Sequence, residues 1–220
     1  MGGSPMTKKL VVVLLAVLSA STAFAGNQQP VPVYTFICNV DQGGSGPCPS
    51  GGIPASLLQE SDGNFYGTTQ TSSLSGGRVG PGGTVFSLTP GGTLTVLHTF
   101  LPGPNDTYPN GSLPGLLVEG SDGKLYGTTV YGGVDGCNGY CGDGVLFRLS
   151  KDGSDFQIVH KFCSEGNCTD GVGVTALAVA KDGNIYGTDF GGGLNRCGGG
   201  LRRHFSSYSI DPGVQGCLQL

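Results

Sequence analysis

The chain of 220 residues carries a formal net charge of −4, and only 12% of its residues are charged. Proteins that bind nucleic acid present a basic face, so this balance argues against a nucleic-acid partner. Disordered chains combine high charge with few apolar residues, which is not the composition seen here. The 43 glycines follow no G-X-Y period and separate short apolar runs, a distribution typical of tight turns between β-strands.

The N-terminus has the pattern of a secretory signal peptide. Lys8 and Lys9 precede an apolar run, and small residues follow it up to an A-x-A site that ends at Ala25. The run is too short to span a bilayer comfortably, although an uncleaved anchor is the alternative. We predict a signal peptide at residues 1–25 and a mature domain at residues 26–220 without a membrane span. That domain would be secreted or extracellular, and in a bacterium periplasmic or at the cell surface.

One stretch of sequence occurs three times at a spacing of sixty residues. Its copies share the pattern D-G-x-x-Y-G-T and cover residues 61–69, 121–129 and 181–189. A fixed period of this size indicates one supersecondary unit in tandem, in which each copy buries an apolar face against the next. The repeats cover about residues 51–100, 110–162 and 170–216.

Each repeat reads as four short strands. An Asp-Gly pair separates the first two and predicts a tight turn, because glycine tolerates the positive φ that such a turn requires. A glycine follows the tyrosine of the second strand at Gly67, Gly127 and Gly187. A strand glycine at a fixed position indicates a bulge or the close approach of a neighbouring group. Alternating apolar residues then predict a third and a fourth strand.

The first strand of the mature chain resembles the fourth strand of a repeat, since Val-Tyr-Thr-Phe at 33–36 matches Leu-His-Thr-Phe at 97–100. We therefore predict that an N-terminal strand at 31–36 completes the last blade of a β-propeller. The predicted fold class is all-β, a β-propeller-like array of about three four-stranded antiparallel blades. A β-sandwich or a linear stack of β-meanders is the alternative fold.

Three blades are fewer than the usual four to eight. Three explanations stay open: a partial or truncated propeller, a homodimer that closes a six-bladed ring, and a cramped three-bladed ring. The irregular sequence Leu-Arg-Arg-His at 201–204 departs from the repeat pattern and favours truncation.

The ordered elements of the repeat resemble the Gloeo/Verruco-type tandem repeat of secreted bacterial proteins. They are L-x-x-x-S-D-G-x-x-Y-G-T-T, a glycine-rich loop, G-T-V-F-x-L and L-x-x-F, and they cover residues 51–100, 110–162 and, more weakly, 170–213. The resemblance implies an exported β-propeller-like array. It implies no enzymatic activity, so no catalytic residue is transferred from it.

The eight cysteines of an exported chain favour disulfides over metal or redox chemistry. Most of them flank or lie within single loops, which predicts local pairs and leaves two cysteines over. The predicted pairs are Cys38–Cys48, Cys137–Cys141, Cys163–Cys168 and Cys197–Cys217. No cofactor and no metal site is expected.

Tyr66, Tyr126 and Tyr186 are the candidate binding residues, because repeated tyrosines on one face could stack on sugar rings. Packing between blades is the alternative, and the one we favour. We expect a secreted, non-catalytic module that binds a glycan or a cell-surface protein through its variable loops. The competing hypotheses are an exported polysaccharide hydrolase or lyase and a fragment without a function of its own. For the enzyme, the candidate acids are Asp135, Asp143 and Asp189.

Overall fold

The computed structural model describes residues 8–12, 32–38, 48–73, 79–80, 82–133, 142–164, 168, 170–191, 204–208 and 215–218. Apart from a 3-10 helix at Pro104–Asp106, the regular structure there consists of strands. In chain order the strands are β1 Lys8–Val12, β2 Tyr34–Cys38, β3 Gly52–Gln59, β4 Phe65–Ser73, β5 Val79–Gly80, β6 Thr84–Leu88, β7 Leu94–Thr99, β8 Ser112–Glu119, β9 Leu125–Tyr131, β10 Val145–Leu149, β11 Gln157–Lys161, β12 Val172–Val179, β13 Ile185–Gly191, β14 His204–Tyr208 and β15 Gln215–Leu218. No helix of this described part is long and apolar enough to cross a membrane.

Three antiparallel sheets follow one another along the chain. Repeat 1 has the strand order β3-β4-β6-β7, repeat 2 has β8-β9-β10-β11 and repeat 3 has β12-β13-β14-β15, while β5 pairs with β4. Strand β8 contacts β3 and β4 on one side and β12 on the other, so the sheets stack in sequence order. The predicted all-β, propeller-like array of four-stranded antiparallel blades is confirmed.

The antiparallel strands give the array two ends. The turn end carries the Asp-Gly turns between the first and second strands, at residues 62–63, 122–123 and 182–183. The loop end carries the connections between second and third strands and those between successive repeats.

The Asp-Gly turns form as the sequence predicts. Oδ1 of Asp62 accepts a hydrogen bond from the backbone N–H of Asn64 at 3.0 Å, and Asp122 accepts the equivalent bond from Lys124 at 3.1 Å. Gly63 has φ of 82°, which a residue with a Cβ rarely adopts. The aspartate side chain thus replaces a backbone acceptor, and the glycine provides the left-handed conformation that reverses the chain.

In repeats 1 and 2 the glycine after the tyrosine lies under the phenylalanine of the third strand, whereas Gly187 of repeat 3 pairs with Ser206. A Cβ built on Gly67 would lie 2.6 Å from Cζ of Phe86, and one built on Gly127 would lie 2.4 Å from Cζ of Phe147. Both distances are far shorter than a van der Waals contact. The close approach predicted for the strand glycine is therefore made by an aromatic ring of the neighbouring strand.

The larger hydrophobic cluster lies between repeats 1 and 2. Its buried members are Tyr66, Val85, Phe100, Leu117, Leu125, Val145, Phe147 and Leu149. The rings of Phe100 and Phe147 meet edge to face, with centroids 5.2 Å apart. Full burial of a side chain of this size stabilises the fold by about 2 kcal/mol, so the cluster holds the two sheets together.

The N-terminal strand packs on repeat 1 in the way that β7 packs on repeat 2. The centroids of Phe36 and Phe86 are 5.1 Å apart, close to the Phe100–Phe147 distance of 5.2 Å. The predicted likeness between residues 33–36 and 97–100 therefore extends to their packing.

The pairing of this strand differs from the prediction that residues 31–36 complete the last blade. Strand β2 pairs with β1, and β15 takes the fourth place in repeat 3. A hairpin between β14 and β15 closes a much shorter loop than recruitment of the N-terminus would, and short loops lose less entropy on closure. Strand β1 lies inside the segment predicted as a signal peptide, and that assignment stays a prediction.

His98 lies in the packing between repeats 1 and 2. Its ring stacks on Phe156 at 3.7 Å between centroids, with 5° between the planes. Nε2 of His98 is buried and has no hydrogen-bond partner among the described residues. Burial lowers the pKa of His98 to about 4, because the site disfavours the charged imidazolium.

The first prediction concerns the glycine beneath the phenylalanine. Gly127→Ala should lower the free energy of unfolding by about 2–3 kcal/mol, since the new methyl group overlaps Phe147. The control is Gly115→Ala in the neighbouring strand, where a Cβ meets no atom within 4 Å. Denaturant unfolding of both variants should show a loss only for Gly127→Ala. Equal effects would contradict this account of the strand glycine.

The second prediction concerns the pH dependence of stability. The pKa of His98 falls from 6.5 in the unfolded chain to about 4 in the fold. His98 therefore contributes fully to the free energy of unfolding above pH 6.5. This contribution falls by about 2 kcal/mol as the pH falls towards 4. The midpoint of thermal unfolding should therefore fall as the pH is lowered, and His98→Phe should remove this part of the fall. Tyr34→Phe, at the equivalent position of β2, should leave the slope unchanged.

Candidate functional site

The three repeats allow an internal comparison of positions. A residue that recurs with the same contacts in each repeat is explained by the shared fold. A polar cluster that occurs at one position and has no counterpart in the other repeats is not required by the fold, and it is therefore a candidate for function.

The repeated tyrosines belong to the shared fold. Tyr66 is 3% exposed and Tyr126 is 1% exposed, and the hydroxyl groups of both donate to the aspartate of their own Asp-Gly turn, at 2.7 and 3.0 Å. Burial, followed by the hydrogen bond to Asp62, raises the pKa of Tyr66 to about 12. Tyr186 makes the same bond at 2.8 Å and is partly exposed. This geometry agrees with packing between blades rather than with a stacking platform.

A threonine pair at the loop end is also shared. Oγ1 of Thr69 accepts the backbone N–H of Thr84 at 3.1 Å, and Oγ1 of Thr129 accepts that of Val145 at 3.0 Å. The equivalent residue in repeat 3 is Asp189, which is 0% exposed and lies beside Gly171. One of the candidate acids of the enzyme hypothesis therefore occupies a structural position of the repeat.

A cluster of charged residues at the turn end joins repeats 1 and 2. Nζ of Lys151 lies 2.7 Å from Oε1 of Glu119 and 4.0 Å from Oδ2 of Asp62. The same ammonium group lies 5.5 Å from the centroid of the Tyr66 ring. The carboxyl group of Glu60 shares a hydrogen bond with Glu119. Three carboxyl groups and one lysine therefore meet where the two sheets are in contact.

The two glutamates of this cluster share one proton. Burial, with the hydrogen bond to Glu119 second, raises the pKa of Glu60 from 4.5 to about 7. The hydrogen bond from Glu60 is the largest cause that lowers the pKa of Glu119, and Lys151 adds to it. Glu60 is therefore the partner that keeps the proton, and Glu119 is the partner that carries the charge facing Lys151.

This carboxyl pair has no counterpart between repeats 2 and 3. The residues equivalent to Glu60 and Glu119 there are Gly120 and Val179, so the fold does not require the pair. Glycosidases hold their two carboxyl groups about 5–9 Å apart to admit the substrate, whereas these two are joined directly. The pair is thus suited to a pH-sensitive contact and not to glycoside hydrolysis.

A second polar cluster lies at the loop end after repeat 2. Oδ2 of Asp170 lies 3.2 Å from Nε2 of His160 and accepts hydrogen bonds from the backbone N–H and the hydroxyl of Ser164, both at 2.9 Å. Burial, with the charge of Asp170 second, raises the pKa of Asp143. Ser164 contacts the carboxylate and not the imidazole, so the serine is not arranged as an activated nucleophile.

Sequence reasoning found part of this second cluster and missed its centre. Asp143 and Asp189 were candidate acids, and both lie at this end of the array, while Asp135 lies outside the described residues. Asp170 was not singled out, although it precedes the glycine that begins repeat 3. The sequence did contain a signal for Asp170, namely its position in the repeat. The equivalent residue of repeat 1 is Ser50, whose side chain forms a hydrogen bond with Tyr34 at 2.8 Å.

The loop beside this cluster is closed by a disulfide. The predicted pair Cys163–Cys168 is confirmed. Cys48 is also disulfide-bonded, and the side chain of its predicted partner Cys38 lies outside the described part. The remaining predicted pairs cannot be followed there, since they involve residues whose side chains are not described: Cys137, Cys141, Cys197 and Cys217.

One group of potential metal ligands occurs among the described residues. It consists of Asp143, Cys163 and Cys168, with ligand atoms within 4.8 Å of one another. The two sulfur atoms are joined in the disulfide, and a metal-binding cysteine needs a free thiolate. This group therefore does not fit a metal ion.

The third prediction follows from the shared proton. The folded pKa of Glu60, about 7, lies above its ordinary value of 4.5. Its stabilising contribution is therefore complete below pH 4.5 and is lost as the pH rises through 7. Glu60→Gln keeps a neutral donor next to Glu119, so at pH 8 it should raise the free energy of unfolding by about 1 kcal/mol, a value reduced by solvent screening.

Stability measured by denaturant unfolding from pH 4 to 8 tests this prediction. Asp152→Asn is the control, because Asp152 is a turn carboxylate at the same end whose pKa is lowered by its bonds to Ser154. Asp152→Asn should leave the loss of unfolding free energy between pH 4.5 and 7 unchanged. If the stability of Glu60→Gln depends on pH over this range as that of the wild type does, Glu60 does not hold the shared proton.

Similarity to known proteins agrees with the repeat architecture. Residues 33–200 match the family described as the Gloeobacter/Verrucomicrobia repeat, and no curated protein matches the chain. The solved structure of a putative gluconolactonase has a TM-score of 0.41 and 18% identity, over 70% of this chain and 44% of that one. A gluconolactonase from Xanthomonas campestris has a TM-score of 0.36 and 15% identity, over 80% of this chain and 58% of that one.

The chain thus spans about half the length of these two proteins, 44% and 58%. Both TM-scores are low, so the assignment of the fold rests on the strand pairing described above. The family match is of a different kind, because it extends over most of the chain and contains all three tyrosine motifs. The chain belongs to the Gloeobacter/Verrucomicrobia repeat family.

Proposed function

We propose that this protein is an exported, non-catalytic interaction module that binds a protein partner at the cell surface through its loop end. The observation that carries the proposal is the position of its exposed apolar side chains. Leu101, directly after β7, is 57% exposed, and Val130, near the end of β9, is 42% exposed. Both lie at the loop end, beside the connections that differ most between repeats.

An apolar surface bordered by polar loops is typical of protein–protein contacts. The loops connect paired strands, and the disulfide Cys163–Cys168 closes one of them. A loop closed in this way loses less entropy when it binds, so its contacts are converted more fully into affinity. This loop is therefore suited to present a surface to a partner.

A glycan is the less favoured ligand. Sugar rings bind to the exposed faces of aromatic side chains, and the rings of Tyr66 and Tyr126 are buried between repeats. The repeated tyrosines, the candidates for such stacking, are thereby committed to the fold in two of the three repeats.

The competing function is a polysaccharide hydrolase or lyase. One observation favours it: the pKa of Asp143 is raised by burial and by Asp170, and a raised pKa suits a general acid. Against it, Asp170 is already bonded to Ser164 and His160, and Asp189 fills a threonine position of the repeat.

The fourth prediction tests the loop end. The processed chain, purified from the exporting host, should bind isolated envelope proteins of its source cells on a biosensor. A double variant Leu101→Glu, Val130→Glu should lose about tenfold or more in affinity, because charge replaces two apolar contacts of an interface. Lys124→Glu, which changes charge at the turn end, is the control and should bind as the wild type does.

Two other outcomes would contradict the proposal. A glycan array on which the processed chain binds defined sugars, with the double variant unaffected, would favour a carbohydrate ligand. Cleavage of a polysaccharide that is abolished by Asp143→Asn would favour the enzyme. In the proposal, neither the array nor the cleavage assay gives a signal above background.

A further inference from the structure

Each sheet of the array has two faces, one packed on the preceding repeat and one on the following repeat. Leu58 and Tyr66 of repeat 1 pack towards repeat 2, whereas Leu57 and Phe86 pack towards the N-terminal strand. Repeat 2 uses both faces in the same way, because it lies between two neighbours. Among the described residues, the head face of repeat 1 and the tail face of repeat 3 are the two faces without a neighbouring repeat.

The internal contacts include a backbone hydrogen bond from each repeat to the one before it. The N–H of Leu113 donates to the carbonyl of Gly82 at 2.9 Å, and the N–H of Gly173 donates to that of Asp143 at 3.4 Å. Both donors adopt a left-handed backbone conformation, with φ of 54° and 61°. This strained conformation thus accompanies the contact between repeats.

Ile53 is the equivalent residue of repeat 1, and it has the same left-handed conformation, with φ of 54°. A positive φ is rare for a β-branched residue. No described repeat precedes Ile53 to accept its N–H, and its side chain is 54% exposed, whereas Leu113 is half-buried. The head face therefore has the shape that accepts a preceding repeat, which the described residues do not supply.

The head face also has an apolar depression beside β2. It is lined by Tyr34, Phe36, Pro54, Ser56, Leu57, Phe86 and Leu88. Leu117 of repeat 2, the residue equivalent to Leu57, is buried under repeat 1. Leu57 is only half-buried, whereas Phe86 is already covered by Phe36.

The tail face of repeat 3 is open in a complementary way. Ala176 and Ala178 are exposed, while Leu58 and Val118, the residues equivalent to Ala178, are half-buried by the following repeat. Tyr186 is partly exposed, although its equivalents in repeats 1 and 2 are buried. In repeats 1 and 2, the residues at these positions cover the sheet of the next repeat.

We propose that two copies of this chain join head to tail, so that the tail face of each covers the head face of the other. The contact would repeat the two interfaces inside each chain, which is why a second copy fits better than an unrelated partner. Two times three sheets give a ring of six, within the usual range of four to eight. A two-fold axis then generates two identical contacts and leaves no open face.

The N-terminal strand has a defined place in this dimer. Strand β2 packs on the head face as the fourth strand of a preceding sheet, since Phe36 meets Phe86 as Phe100 meets Phe147. In the dimer, β2 lies beside the last sheet of the other copy, in which β15 holds the fourth place. Strand β1 covers the edge of β2, and it leaves with the predicted signal peptide.

The fifth prediction tests this dimer on the chain as the host exports it, with its N-terminus identified by mass spectrometry. Light scattering after size-exclusion chromatography should give twice the mass of one processed chain. Ile53→Arg on the head face and Ala178→Arg on the tail face should each abolish the dimer peak. Both positions are exposed in the single chain, so circular dichroism should show folded monomers.

Val159→Arg is the matched control, because this side chain is similarly exposed, at 43%, but lies on repeat 2 away from both end faces. It should remain a dimer. The proposal is overturned if the wild type is monomeric at every concentration, or if its mass grows beyond a dimer as in an open array. It is equally overturned if the dimer survives either end-face substitution, or if Val159→Arg dissociates it.

Discussion

The packing of each sheet on the next is the interaction on which the rest of the structure depends. A single four-stranded sheet cannot bury enough apolar surface to be stable alone, so every repeat needs a neighbour. Phe147 shows how close this packing is, because its ring lies directly over Gly127, where a Cβ would overlap it. The rings of Phe100 and Phe156 then pack around Phe147 and connect two sheets. In repeats 1 and 2 the glycine and the phenylalanine occur together because the ring takes the space of a Cβ, whereas in repeat 3 Gly187 pairs with Ser206.

The repetition separates structural chemistry from chemistry that the fold does not need. The bond from Tyr66 to Asp62 is repeated in every sheet, so it belongs to the scaffold. Two contacts are not repeated by equivalent titratable side chains in the other described repeats. They are the pair Glu60–Glu119 and the contact between Asp170 and His160. One of these clusters lies at the turn end and the other at the loop end, where Leu101 and Val130 are exposed. The proposed binding surface and the carboxyl pair thus lie at opposite ends of the array.

Two buried titratable groups act on stability in opposite directions. His98 resists protonation because its ring is enclosed by aromatic side chains, so acid weakens the contact between repeats 1 and 2. Burial, with the hydrogen bond to Glu119 second, raises the pKa of Glu60, so a rise in pH weakens the same contact. The two effects overlap between pH 4.5 and 6.5, where they partly cancel. The loss due to His98 dominates at lower pH, and the loss due to Glu60 dominates at higher pH.

The sequence by itself determined the all-β class, the number of repeats, the Asp-Gly turns and the Cys163–Cys168 pair, because these depend on residues close together in the chain. Only the tertiary structure decided what lies across an interface. It placed Lys151 beside Glu119 and brought Glu60 next to it, although the two glutamates are far apart in sequence. It buried Tyr66 and Tyr126 and paired β2 with β1 instead of repeat 3. A repeat pattern specifies how one sheet folds, whereas the contacts between sheets depend on side-chain volume and charge at positions that no local periodicity relates.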